Sequence, residues 1–143
     1  MRSPKIHIFL FVILLITLSD SCRKKDDLVP NVYVNFTIFL SDPEFSTLQI
    51  IGNSVFVTGG VSGIIIYRLS QTEFSAFDRC CTFQPNDRCA ILPDTANTLF
   101  LNCPCCSSKF SLLDGSVQSG QAKRALTTYY TSFDGNNTLR VSN

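Results

Sequence analysis

The stretch Cys103-Pro104-Cys105-Cys106-Ser107-Ser108-Lys109-Phe110 places three of the chain's seven cysteines within four residues. Upstream, Asp78-Arg79-Cys80-Cys81-Thr82-Phe83-Gln84-Pro85-Asn86-Asp87-Arg88-Cys89 holds three more. Between them lie Ala90 to Leu92 and Leu99 to Leu101, a pair of strand-sized apolar segments. Two cysteine-rich loops within residues 78–110, joined by a hairpin, can lie side by side at one end of a sheet. Small β modules hold an iron–sulfur cluster or a zinc ion in this way. The plainer reading is a pair of loops stapled by disulfides.

The rest of the chain reads as strands. Val32, Val34, Phe36 and Ile38 alternate with Tyr33, Asn35 and Thr37, the period of a half-buried strand. Leu48 to Ile51 and Ser54 to Thr58 flank Gly52-Asn53, a hairpin-turn pair. Val61 to Leu69 is a β-branched run that suits a central strand, and Phe74 to Phe77 is a shorter candidate. Near the end, Leu126 to Phe133 and Thr138 to Val141 flank the turn signal Asp134-Gly135-Asn136-Asn137. No segment after the first twenty residues has the spacing of a long amphipathic helix. The expected fold class is all-β, a compact antiparallel sandwich or small barrel. Its 143 residues, 45% of them hydrophobic, suffice for one domain with a real core. A net charge of +1 gives no electrostatic reason to expect nucleic acid as a partner.

The N-terminus carries Arg2 and Lys5, then the apolar run Ile6 to Leu18, then Ser19-Asp20-Ser21-Cys22. The run is shorter than the ~20 residues of a spanning helix and has the size of a signal-peptide core. Small residues before a cysteine at the end of such a core resemble a bacterial lipoprotein signal. That resemblance implies a signal peptide over residues 1–21 and lipid on the Cys22 sulfur. The aliphatic residue usual three places before the cysteine is Ser19 here, and a short uncleaved anchor is the alternative. Residues 22–30, with Arg23-Lys24-Lys25-Asp26-Asp27, form a charged spacer, and residues 31–143 form the domain. The six remaining cysteines then lie in an oxidising compartment, where disulfides are the default. The single histidine, His7, is lost with the leader, which removes Ser-His-Asp and Cys-His catalysis and every His-ligated metal site.

At its two loops the chain resembles the Rieske iron–sulfur family, whose first loop has the form Cys-x-His and whose second reads Cys-Pro-x-His-Gly-Ser-x-Phe. Cys81-Thr82-Phe83 matches the first and Cys103 to Phe110 the second. Downstream, Asp114-Gly115 and Gly120-Gln121-Ala122 fall where the family places a glycine turn and a Gly-Pro-Ala segment. The resemblance spans roughly Val32 to Asn143 and implies a two-loop β fold of the [2Fe–2S] electron-transfer type. Cys81 and Cys103 keep the family's cysteine ligand positions. Phe83 and Cys106 stand at the two histidine positions, Ser107 replaces the following glycine, and Gln121 replaces the proline. The family's extra disulfide carries over to Cys89 and Cys105.

Three readings of the sulfurs follow. In the first, a four-cysteine [2Fe–2S] cluster uses Cys81, Cys103, Cys106 and Cys80, although neighbours in extended backbone point oppositely. The leader lacks paired arginines, which implies export of an unfolded chain, whereas cluster-bearing family members are commonly exported folded. In the second, no cluster is bound and disulfides staple the loops: Cys89 with Cys105 by the resemblance, Cys81 with Cys103, and Cys80 with Cys106. In the third, the thiolates hold a structural zinc, for which Cys103-x-x-Cys106 has the spacing. The resulting expectation is an exported, lipid-anchored Rieske-like protein with a degenerate site, cluster-free and disulfide-stapled. Its partners would be the membrane, through the lipid, and a redox or envelope protein. The alternatives are a four-cysteine electron carrier and a structural envelope interaction module. No catalytic residues are assigned: Ser107, Ser108 and Lys109 are accounted for by the second loop, and Asp42, Glu44, Asp78 and Asp87 read as scattered, solvated carboxylates.

Overall fold

The computed structural model describes residues 28–143. The signal segment 1–21, Cys22 and residues 22–27 of the spacer lie outside the described residues. Among those described, no helix is long and apolar enough to cross a membrane.

Among the described residues, ten strands form two antiparallel sheets. The larger contains β1 (Asn35–Phe39), β2 (Ser54–Val57), β3 (Ile64–Arg68), β4 (Phe74–Asp78), β9 (Thr128–Phe133) and β10 (Thr138–Ser142). The smaller contains β5 (Leu92–Pro93), β6 (Phe100–Asn102), β7 (Lys109–Ser111) and β8 (Val117–Ser119). The larger sheet is ordered β1-β10-β9-β4-β3-β2 and the smaller runs β5-β6-β7-β8.

The sequence of β3 explains why both faces of the larger sheet are covered. A strand buried on both sides reads as a continuous apolar run rather than an alternation. Ile64 and Ile66 pack with Val34, Ile38, Leu48, Phe74, Leu139 and Val141 on one face. On the other face, Ile65 and Tyr67 pack with Phe77, Ile91, Leu101, Phe110 and Leu112, and this second core also contains Cys81, Cys103 and Cys106. The sulfurs are therefore part of the apolar seam between the sheets. β1 shows the expected alternation, with Ile38 buried and its neighbours more exposed. The turn after β9 works as its residues imply: Asp134 accepts from the backbone N–H groups of Asn136, Asn137 and Thr138, and Gly135 adopts φ +85°.

One expected strand is absent. Leu48 to Ile51 does not pair across Gly52-Asn53, because Ser46–Gln49 is a short 3-10 helix and β2 pairs with β3 instead. Local polar contacts outcompete the ladder there. The Ser46 hydroxyl donates to the Pro43 carbonyl at 2.9 Å, and Gln49 donates to the Leu40 carbonyl at 2.8 Å. The Arg68 guanidinium, at the end of β3, takes up the Leu48 carbonyl at 2.8 Å.

Candidate functional site

Each cysteine loop is closed by the backbone beneath it. The first leaves β4, makes a 3-10 turn at Pro85–Asp87, and returns through the Cys80–Ala90 bridge and the Cys81 N–H bond to the Cys89 carbonyl at 2.9 Å. The second joins β6 to β7, closed by Cys103 N–H to the Ser108 carbonyl at 2.8 Å and Ser107 N–H to the Cys103 carbonyl at 2.9 Å. The Lys109 ammonium donates to Asp94 at 2.7 Å, tying the start of β7 to the chain beyond β5. That hydrogen bond is the main cause holding the Asp94 carboxyl down at about 2.

Five of the six cysteines converge. Cys89 and Cys105 form a disulfide joining the loops, with Cα atoms 6.4 Å apart, the pair that the resemblance implies. Cys81, Cys103 and Cys106 are free thiols whose sulfurs all lie within 4.8 Å of one another. They are buried, at 2%, 2% and 7% exposure. Cys81 Sγ lies 3.4 Å from Cys106 Sγ, and neither this pair nor the expected Cys81–Cys103 pair is bonded. Cys103 Sγ also lies 3.9 Å from Cys89 Sγ. Phe83, Gln84 and Asp87 line the same enclosure, whose volume of about 10 Å³ is the room of a single water.

Cys80 is not brought to this group. Its sulfur is directed to the Pro85 carbonyl at 3.5 Å, inside its own loop. Adjacent side chains in extended backbone point to opposite sides, and Cys81 takes the inward side. The expected Cys80–Cys106 pairing has no counterpart, and Cys80 remains a buried free thiol.

Ser108, unassigned from the sequence, organises the second loop. Its fully buried hydroxyl oxygen accepts the Gln121 and Ala122 N–H groups at 3.0 and 2.9 Å. Cys106 Sγ lies 3.1 Å from the same oxygen, with the thiol as donor. Burial opposes the Cys106 thiolate, but hydrogen bonds from the Ser108 side chain and backbone, then from Cys103 and Cys81, outweigh it and lower the Cys106 pKa. Burial, reinforced by the Cys103 thiol, pushes the Cys81 thiol far up. Gly120 makes the approach possible: at φ +96° it lies where a Cβ would collide with the Ser108 backbone.

Ser107 adopts φ +56°, the left-handed region, at the position where the resembled family has glycine. Such a conformation costs a non-glycine residue roughly 1–2 kcal/mol, and glycine gives back part of that in unfolded-state entropy. Ser107→Gly is expected to raise stability by about 0.5–1 kcal/mol in denaturant melts. A loss of stability would mean that the serine hydroxyl contributes a contact of its own.

Asp78 departs most from its sequence reading. It is fully buried rather than solvated. Its carboxylate accepts from Val61 N–H at 2.6 Å, Ser62 N–H at 3.3 Å, Cys80 N–H at 2.8 Å and the Tyr129 hydroxyl at 2.8 Å. Burial and the Asp78 hydrogen bond push the Tyr129 phenol well above its ordinary value. The carboxylate thus joins the glycine loop before β3, strand β9 and the entry to the first cysteine loop.

No protein-family profile matches the sequence, and no curated protein sequence does. Solved structures do resemble it. The cyanobacterial plasma membrane Rieske protein PetC3 from Synechocystis PCC 6803 superposes with TM-score 0.52 at 24% identity, over 77% of this chain and 98% of that one. The E. coli protein NirD aligns over 78% of this chain and 96% of its own, at 14% identity and TM-score 0.45. The domain has a Rieske-like fold: a six-stranded base sheet and a small sheet presenting two cysteine loops.

Proposed function

We propose that this chain is an exported, lipid-anchored Rieske-like domain of electron-transfer descent that carries no [2Fe–2S] cluster, its loops being held by sulfur–sulfur bonds. The observation that carries the reading is the donor count. A [2Fe–2S] centre takes four protein ligands. The enclosure offers three thiols, Phe83 stands at one histidine position, and Cys80 faces Pro85. The Cys89 and Cys105 sulfurs are spent on each other. The residues present do not fit the cluster, and the space between them is water-sized.

The free thiols suit a second staple. At 3.4 Å, Cys81 and Cys106 are within a small rotation of bonding. A disulfide-type oxidant of the exporting compartment would take two electrons and two protons from them, becoming two thiols as the Cys81–Cys106 bond forms. In this reading the domain is a binding or redox module held at the envelope through Cys22, and its partner is another envelope protein.

Iron analysis with absorbance between ~400 and 600 nm on freshly purified protein tests the reading, because thiolate–iron centres absorb there. The expected result is a colourless protein without iron, in which mass spectrometry finds the Cys89–Cys105 bridge. Two iron per chain would overturn it in favour of the four-cysteine carrier. For the anchor, Cys22→Ala is expected to abolish lipidation and membrane retention; normal processing of that variant would refute the lipoprotein assignment.

A further inference from the structure

We infer that the reduced thiols of Cys81, Cys103 and Cys106 form a three-coordinate site for one soft monovalent cation, Cu(I). The inference rests on the reading that no iron–sulfur cluster occupies these sulfurs, and it concerns the state in which the Cys81–Cys106 staple is open.

The geometry comes first. The three sulfurs form a triangle whose Cys81–Cys106 side is 3.4 Å and which has no side above 4.8 Å. The centre of such a triangle lies about 2–2.8 Å from each corner, a range that includes the ~2.3 Å of a metal–thiolate bond. One ion can therefore reach all three sulfurs with only small side-chain adjustments. The backbone bonds that close both loops and the Cys89–Cys105 bridge hold the corners in place, so little of the site has to be ordered by the ion.

Donor chemistry then selects the ion. All three donors are thiols, and among the described residues no histidine or carboxylate joins them within the same reach. Soft thiolates favour Cu(I), zinc and iron–sulfur centres over hard cations. Structural zinc is held by four protein ligands in a tetrahedron, and an iron–sulfur centre also needs four. Here Phe83, which offers no ligand atom, lines the enclosure, no carboxylate among the described residues lies within 4.8 Å of the three sulfurs, and Cys80 faces elsewhere. Cu(I) has no need of a fourth ligand. Burial of the sulfurs in the apolar seam also shields a cuprous ion from water. The Ser108 hydroxyl, 3.1 Å from Cys106 Sγ, supplies the outer hydrogen bond that orients a metal-binding sulfur.

The test uses the purified full-length protein, with iron measured first and then under anaerobic conditions without added thiol, so that the Cys89–Cys105 bridge survives. Cu(I) is supplied as its acetonitrile complex against bicinchoninate, and parallel samples are alkylated and mapped by mass spectrometry. One Cu(I) per chain is expected, with Cys81, Cys103 and Cys106 protected from alkylation only when copper is present. Cys81→Ser, Cys103→Ser and Cys106→Ser should each weaken Cu(I) binding by more than ~100-fold, since even outer-shell changes cost ~10–100-fold. Cys80→Ser should leave it unchanged. The mapping on the parent protein keeps the result readable if a serine variant folds poorly. In protein whose mapping shows Cys81, Cys103 and Cys106 as free thiols before loading, absence of bound Cu(I), equal labelling with and without copper, or displacement of Cu(I) by equimolar Zn(II) would each overturn the site. Iron at two per chain would instead overturn the cluster-free reading beneath it.

Discussion

Asp78→Ala is expected to destabilise the domain by about 3–5 kcal/mol, which lowers the thermal midpoint by roughly 10–20 °C. The magnitude follows from what the alanine would leave behind. The carboxylate is wholly buried and takes three backbone N–H groups and one phenol. The Cys80 amide and the Tyr129 hydroxyl are buried, while the Val61 and Ser62 amides are half-buried; each buried donor left unpaired costs about 1–3 kcal/mol, reduced by whatever relaxation the loops allow. The glycine loop offers little relaxation. Gly60 holds φ +59°, and its Cα lies so close to the carboxylate that any Cβ would collide with it.

Asp78→Asn separates the acceptor role from bulk. It keeps one acceptor oxygen but turns an NH2 toward either the Val61 amide and Tyr129 hydroxyl or the Cys80 amide, so donors face donors. About half the alanine effect is expected. Chemical and thermal unfolding followed by circular dichroism would measure both variants. An alanine variant within ~1 kcal/mol of the parent would show that the network does not hold the loops.

That network also marks where sequence reasoning stops. The strands of the larger sheet are legible because burial imposes periodicity: alternation in β1, an unbroken apolar run in β3. β7 and β8 are three residues each, too short to display a period, and their register comes from pairing, β7 with β6 and β8 with β7. The 3-10 helix at Ser46–Gln49 replaces an expected strand because side chains distant in sequence, Arg68 above all, satisfy its carbonyls. Asp78 looks like any surface aspartate at a strand end until the glycine loop and Tyr129 are folded against it.

The sulfurs divide the same way. That Cys81, Cys103 and Cys106 lie together could be read from their positions in two loops joined by a hairpin. The partner each one faces could not, because that depends on loop twist and rotamer. The opposition of Cys80 and Cys81 was readable, since it follows from backbone geometry alone. The anchoring role of Ser108 is not legible in the sequence, because a serine two residues from a cysteine gives no sign that two distant amides will occupy its lone pairs.

The Cys89–Cys105 bridge bears on every reading of the site, and removing it should have the second large effect. The half-cystines are 16 residues apart, and cross-linking a loop of that size is worth about 3 kcal/mol. Cys89→Ser alone would leave Cys105 as an exposed thiol beside Cys103 and Cys106, free to form new pairs. The double change Cys89→Ser/Cys105→Ser is the clean test, with an expected loss of about 3 kcal/mol. Part of the entropy gained on opening the loop is withheld by the β5–β6 hairpin inside it, which makes that figure an upper value. The second consequence is local. Without the bridge, the two loops are joined mainly by the seam around Phe110 and Leu101, and the gap between Cys81 and Cys106 is no longer fixed. The double variant should therefore lose stability and at the same time weaken any chemistry that needs Cys81, Cys103 and Cys106 together. A double variant with unchanged midpoint and unchanged thiol protection by copper would place the loop geometry in the backbone bonds alone.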